Sequence, residues 1–240
     1  MTYSYHDMLA AFKVGHAHPG GRRLTEKLLN SLPISTSAKV LDAGCGIGET
    51  TVYLASKYHC QVFALEHNKQ MAELAQQSFH LHSVSIELER GNVENMPYDC
   101  EVFDFILAES VTAFTNVKQT LSEYARVLKS DGVLLLNEMT VEDELLDIET
   151  EELTQFYGMN SLLTESDWKE AFIEAGFNTV EMIEGKTILQ ELETYIPAEE
   201  DMSPPNITLN EELERIMAIH QELTLQFADV LGYRVFKVTK

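Results

Sequence analysis

Residues 40–51 read V-L-D-A-G-C-G-I-G-E-T-T. An apolar run that breaks into glycines at 44, 46 and 48 and then resumes with helix-forming residues is a strand–turn–helix junction. Glycine has no Cβ, so the backbone there can turn sharply and let a ligand approach closely. Such a junction opens a parallel α/β sheet, and the rest of the chain agrees with it. Short apolar runs at 39–43, 61–66, 84–90, 102–108 and 132–138 alternate with helix-period segments, the signature of βαβ units. The first, fourth and fifth runs are nearly all apolar, as strands covered on both faces are. Val117, Leu121, Tyr124, Ala125 and Leu128 fall on one helical face,. S-D-G at 130–132 is expected to end that helix and turn into the fifth strand,.

The glycines do not fit the G-x-G-x-x-G frame of a dinucleotide site. Counted from Gly44, the third slot holds Glu49; counted from Gly46, it holds Thr51. A glutamate at the helix start repels a pyrophosphate. The helix N-terminus suits a single carboxylate instead, and Asp42 adds negative charge at the strand end. A ligand with one carboxylate and cationic groups, such as S-adenosylmethionine, matches that mixture. Glu66 ends the second run and can accept hydrogen bonds from both hydroxyls of a free ribose,. His67 either lies against an adenine or is a surface histidine. In E-R-G-N-V-E-N-M-P-Y at 89–98, Asn92 can bond an adenine edge and Val93 can pack on its ring.

The stretches VLDAGCGIGETTVYLA, ALEHNKQMAELA, GNVENMPY, FDFILAESV and YARVLKSDGVLLLNE occur in that order. Together they resemble the successive signatures of class I (Rossmann-like) S-adenosylmethionine-dependent methyltransferases. The branch resembled is the small-molecule one that includes the methyltransferase-11 and ubiquinone-biosynthesis-like enzymes. The resemblance covers residues 35–140 and extends more weakly through WKEAFIEAGF and the last strand. It implies a doubly wound, seven-stranded, mostly parallel sheet with an antiparallel last strand, in a three-layer αβα sandwich with helical lid insertions. It places Asp42, Ala43, Gly44, Gly46 and Gly48 around the methionine part of the cofactor, Glu66 on the ribose, and Asn92 with Val93 on the adenine. Glu109 would close over the methionine end. The adenine position often carries Asp in the family, where this chain has Asn92. The cofactor would be S-adenosyl-L-methionine, leaving S-adenosyl-L-homocysteine. Because the sulfonium is already activated, the protein mainly has to align the acceptor and exclude water; a base is needed only if the acceptor must lose a proton.

Composition narrows the acceptor. Seventeen basic against thirty-nine acidic side chains give a net charge of −22, which disfavours nucleic acid and anionic membranes as partners. N-P-P-Y, P-C-Q and a paired-glutamate hairpin, marks of adenine, cytosine and protein-arginine methylation, are absent. A small-molecule acceptor is expected. A non-catalytic cofactor-binding sensor or partner-docking protein is the alternative. No apolar run is long enough to span a membrane. The polar N-terminus does not read as a signal peptide, and the three cysteines lack disulfide or zinc spacing,. A cytoplasmic protein is expected, with no metal site; the oligomeric state is open.

The expected organisation is a single domain. Residues 1–35 form an N-terminal helical lid, 36–140 the cofactor core, 141–232 acceptor-side insertions with a sixth strand at 178–184, and 233–240 the last strand. Residues 142–152 carry seven acids, as a solvated helix face, a connection or a cation-binding surface. A helix is expected at 168–177, an irregular excursion at 185–208, and a long helix from Leu209. That last helix carries His220 on its apolar stripe as a packed histidine. G-H-A-H-P-G-G at 15–21 resembles an element found before the first strand in one subgroup of the family. His18, and His16 beside it, could act as a base, bind a metal, or cap a turn. Tyr3, Tyr5, Phe114, Phe156, Tyr157 and Trp168 could wall an acceptor pocket or serve as core.

Overall fold

The computed structural model describes residues 3–143, 145–194 and 210–240. Seven strands form one sheet: β1 (Lys39–Ala43), β2 (Gln61–Glu66), β3 (Glu87–Arg90), β4 (Phe103–Glu109), β5 (Leu128–Val141), β6 (Thr179–Thr187) and β7 (Leu231–Thr239). Their order is β3-β2-β1-β4-β5-β7-β6. β7 runs antiparallel to both of its neighbours, and the other pairs are parallel. The order reverses between β1 and β4, so a crevice opens above their C-terminal ends, where open α/β sheets bind ligands.

Period-two alternation splits the buried side chains between the two faces. Leu41, Ile106, Leu134 and Leu136 join one core with Leu121 and Tyr124 of α5 (Val117–Val127) and Trp168 and Phe172 of α7 (Glu165–Glu174). Val40, Phe105, Leu107 and Leu135 join the other with Leu24, Leu28 and Leu29 of α2 (Gly21–Asn30) and Leu54 of α3 (Glu49–Tyr58). α4 (Lys69–Leu81) adds Ala75 and Phe79 beside Ala64. Helix α2 is thus a layer helix of the sandwich, which separates it from the rest of the expected 1–35 lid.

The remaining helices lie over the strand ends. α1 (Tyr5–Phe12) starts at a Ser4–Asp7 capping box and packs against α6 (Asp147–Tyr157) and α9 (Glu211–Gln226),. The acidic 142–152 stretch supplies the start of α6, with Ile148 exposed.

Several boundaries depart from expectation. α7 spans Glu165–Glu174 rather than 168–177, and β7 begins at Leu231 rather than 233. β3 starts at Glu87 rather than 84. S-D-G at 130–132 lies inside β5: helix α5 ends at Val127, and the strand passes through the glycine with a register shift against β4. Gly132 is the residue that fits, since a Cβ there would meet Leu128 Cδ1 at 2.7 Å and Asp104 O at 3.1 Å. The expected irregular stretch at 185–208 begins with ordered structure, β6 to Thr187 and then α8 (Ile188–Thr194); 195–208 lies outside the described residues.

Candidate cofactor and acceptor site

A cavity of about 800 Å³ occupies the crevice between the ends of β1 and β4. Asp42, Gly44, Gly46, Glu66, His67, Asn92, Val93, Glu109 and His18 all line it. The structure takes two expected residues away from the wall. The Ala43 side chain is fully buried in the core. Gly48 starts α3 at φ +86°, and a Cβ on it would meet Phe79 Cε1 at 2.5 Å and Ala75 Cβ at 3.1 Å. Its smallness therefore serves packing against α4. At Gly46 (φ +55°) an added Cβ meets nothing within 4 Å, because it would project into open space.

The turn spends its own amides on holding its shape. Gly44 and Cys45 N–H donate to Leu65 O, Gly48 N–H donates to Cys45 O, and Gly46 N–H donates to Glu66 Oε2 at 2.9 Å. Glu66 Oε1 accepts from Asn68 N–H at 2.7 Å. Burial raises the Glu66 pKa above the usual carboxylate value while these amides pull it down. Each of its oxygens keeps a lone pair for a ligand hydroxyl. Asp42 is fully buried and accepts from Thr51 Oγ1 at 2.5 Å. Burial, with Glu109 and Glu66 nearby, pushes its pKa up to about 7. Asn92 is folded into a local turn: Oδ1 accepts from Glu94 N–H at 2.9 Å and Nδ2 donates to Glu94 Oε2 at 3.2 Å. Val93 is buried beside it. His67 is exposed and lies close enough to His6 to depress that imidazole's pKa, which burial lowers first.

Glu109 is the hub of a polar cluster that closes one end. Its Oε1 accepts from Thr25 Oγ1 at 2.6 Å and lies 3.4 Å from His18 Nε2; its Oε2 accepts from Thr50 Oγ1 at 3.1 Å. His18 Nδ1 sits 3.2 Å from both Asn137 Nδ2 and Pro19 O. Both ring nitrogens are therefore engaged within the protein. His16 bonds Thr50 and lies 3.3 Å from Glu49 Oε2; burial and the neighbouring His18 lower its pKa to about 4. Among the described residues, no group of three or more His, Cys, Asp or Glu side chains is placed to hold a metal ion.

Sequence reasoning missed Glu138. It is fully buried in β5 and accepts from Val111, Thr112 and Ala113 N–H at 3.0, 2.6 and 3.4 Å. Burial still pushes its pKa up to about 7. It holds the turn after Glu109, where Ser110 takes φ +55°, a left-handed conformation that costs a non-glycine residue about 1 kcal/mol or more,. The one signal was an acid ending the apolar run 132–138, which equally suits a solvated strand end. Of the aromatics weighed from sequence, Tyr5, Phe114 and Tyr157 line the cavity, while Trp168 is core and Tyr3 is largely exposed. His220, expected to be packed, lines the cavity too and bonds Tyr157 Oη through Nδ1 at 3.1 Å.

The chain matches the family described as "Methyltransferase domain" over residues 41–136. It is 28% identical to the uncharacterized methyltransferase YodH of Bacillus subtilis over 97% of each chain. The fold is shared with phosphoethanolamine N-methyltransferase 2 of Haemonchus contortus (TM-score 0.78, 19% identity). That alignment covers 98% of this chain and 57% of the worm enzyme, so this chain spans little more than half of that protein. A methyltransferase from Thiobacillus denitrificans, solved with S-adenosyl-L-homocysteine, aligns over 100% of this chain and 99% of its own at 17% identity (TM-score 0.71). With the cavity at the β1–β4 reversal, its glycine turn and its strand-end acids, these likenesses lead to one conclusion: residues 41–136 are a methyltransferase domain, and the whole chain is similar to class I, Rossmann-like S-adenosylmethionine-dependent methyltransferases.

Proposed function

We propose that this methyltransferase acts on a small-molecule acceptor, and that Asp42, Gly44, Gly46, Glu66, Asn92, Val93 and Glu109 form its cofactor half-site. The observation that carries the reading is one continuous cavity. It runs from Asn92 and Val93 past the glycine turn to Glu109, and on to the aromatic wall formed by α1, α6 and α9. An acceptor enclosed there has to be small. The acidic surface argues against nucleic acid,. Among the described residues no helix is long and apolar enough to cross a membrane, and we take the site of action to be the cytoplasm.

The residues fit the cofactor by charge. Asp42, Glu66 and Glu109 place carboxylates at the ends of β1, β2 and β4, complementary to a molecule with ammonium and sulfonium groups and a ribose diol. Bound there, S-adenosylmethionine supplies an electrophilic methyl group. Glu66 would accept the ribose hydroxyls, Val93 would face the adenine, and the open backbone at Gly46 would admit the methionine part. Loop 14–20 and α1 would form the lid that excludes water, latched by His18 on Glu109 and by His16 on Glu49 and Thr50. The protein's contribution to rate is then alignment and enclosure rather than proton transfer.

The test is calorimetric titration with S-adenosyl-L-homocysteine, followed by incubation of the protein with methyl-labelled cofactor and metabolite extract. The account expects micromolar binding and label in a low-molecular-weight product. Absence of binding overturns the cofactor reading. Binding with label appearing only in protein or nucleic acid overturns the small-molecule reading.

A further inference from the structure

The acceptor half of the cavity has a chemistry of its own, and the inference drawn from it rests on the cofactor reading above. Beyond the glycine turn the wall includes Tyr5, Tyr157, Ile188, Leu192, Met217 and His220, with Glu191, Thr224 and Tyr233 alongside them. Among the described residues, no lysine or arginine lines the cavity, against seven carboxylates, and the sequence at 195–209 contains none either. Nearby cations already have acidic partners. Arg234 lies between Glu142 and Glu165 at 2.6 and 3.0 Å, and Lys186 sits 3.1 Å from Glu191.

The histidines do not supply the missing charge. Burial lowers the pKa values of His6, His16 and His220, which favours their neutral forms, and His18 already faces Glu109. A phosphate, diphosphate or carboxylate placed here would give up its hydration with no counter-charge from the protein in return, a cost of several kcal/mol. Apolar surface, by contrast, is stabilised against such walls at roughly 25 cal/mol per Å². One neutral hydrogen-bonding pair, Tyr157 Oη with His220 Nδ1, lies in this half. That is the pattern of an apolar pocket with few oriented polar groups.

We propose that the acceptor is an uncharged, largely apolar molecule, seated between α1, α6, α8 and α9, with the Tyr157–His220 pair as its polar contact. Anionic acceptors, including phosphate esters and carboxylates, are excluded by the charge of the walls.

The experiment uses the full chain loaded with S-adenosyl-L-homocysteine and three matched probes: 1-naphthol, 1-naphthyl phosphate and 1-naphthoate, titrated at pH 7.5. The neutral probe should bind at least tenfold tighter than either anion. Met217→Lys should narrow that gap at least tenfold by giving the wall a cation; if this variant does not fold, Leu192→Arg on the more exposed α8 serves the same purpose. An anion binding wild type as tightly as 1-naphthol, or no binding of 1-naphthol at all, overturns the proposal. Titration of S-adenosyl-L-homocysteine in the same samples separates the two failures. Loss of that binding defeats the cofactor reading, whereas intact cofactor binding with an anion preference defeats only the inference about the acceptor.

Discussion

Alanine at Gly46 and alanine at Gly48 should have opposite consequences, although both glycines belong to one turn. At Gly48 the backbone sits at φ +86° and a new Cβ would lie 2.5 Å from Phe79 and 3.1 Å from Ala75, both buried. Left-handed strain costs about 1–2 kcal/mol, and overpacking a dense core about 1–3 kcal/mol more. The sum, about 2–5 kcal/mol, corresponds to a fall in Tm of roughly 4–20 °C for a domain of this size. Cofactor affinity in the folded fraction should stay within about twofold, because the methyl points toward α4. At Gly46 the φ is +55° and nothing lies within 4 Å of the new Cβ. Only the backbone strain applies, about 1–2 kcal/mol, while the methyl intrudes on the cavity. Affinity for S-adenosyl-L-homocysteine should drop tenfold or more, equivalent to about 1.4 kcal/mol. Thermal melts and calorimetry on both variants at low temperature decide it. If Gly48→Ala weakens binding as much as Gly46→Ala does, the division of the turn into a packing glycine and a ligand-facing glycine is wrong.

Four further outcomes follow from the site. Asp42 holds its proton up to about pH 7 in the folded chain. The stability this gives is complete below its unfolded pKa of about 4 and is lost as pH rises through 7, up to about 4 kcal/mol for a shift of about three pKa units. Asp42→Asn should therefore show a smaller fall in Tm from pH 5 to pH 8 than wild type; an unchanged slope counts against it. A cofactor cation near Asp42 should release part of that proton, so binding enthalpies at pH 7 should differ between phosphate and Tris buffers, and equal enthalpies would deny the coupling. Glu138→Ala leaves the amides of 111–113 without their acceptor and should cost about 3 kcal/mol or more in urea unfolding, with Glu138→Gln recovering part; a loss below about 1 kcal/mol refutes its role. His18→Ala should raise the cofactor Kd about tenfold by freeing the loop while leaving the pH profile of kcat in place; loss of an ionisation from that profile would make His18 a base after all.

Much of the sheet was legible because burial on both faces writes itself as unbroken apolar runs. β1, β2 and β4 emerged within a residue of their ends, and the strand-end acids Asp42, Glu66 and Glu109 could be marked before any contact was known. What sequence could not show were the choices made by packing. S-D-G at 130–132 reads as a turn, yet close approach of Leu128 and Asp104 to Gly132 lets β5 continue through it. Pro197, Pro204 and Pro205 dominate the reading of 185–208 and hide the short α8 that precedes them. Gly44, Gly46 and Gly48 look alike in sequence, yet a Cβ on Gly48 would strike α4 and one on Gly44 would strike Val111, whereas one on Gly46 would meet nothing. Glu138 and the Tyr157–His220 pair depend on residues tens of positions apart, and periodicity within one element carries no trace of such partners.

The most direct test of the central claim is a crystal structure of the full chain grown with S-adenosyl-L-homocysteine. The account predicts the ribose hydroxyls on the Glu66 carboxylate, the adenine against Val93, and the sulfur facing the space walled by Tyr5, Tyr157 and His220. Density for the cofactor at any other place, or a cavity filled only by water at saturating ligand, would contradict it.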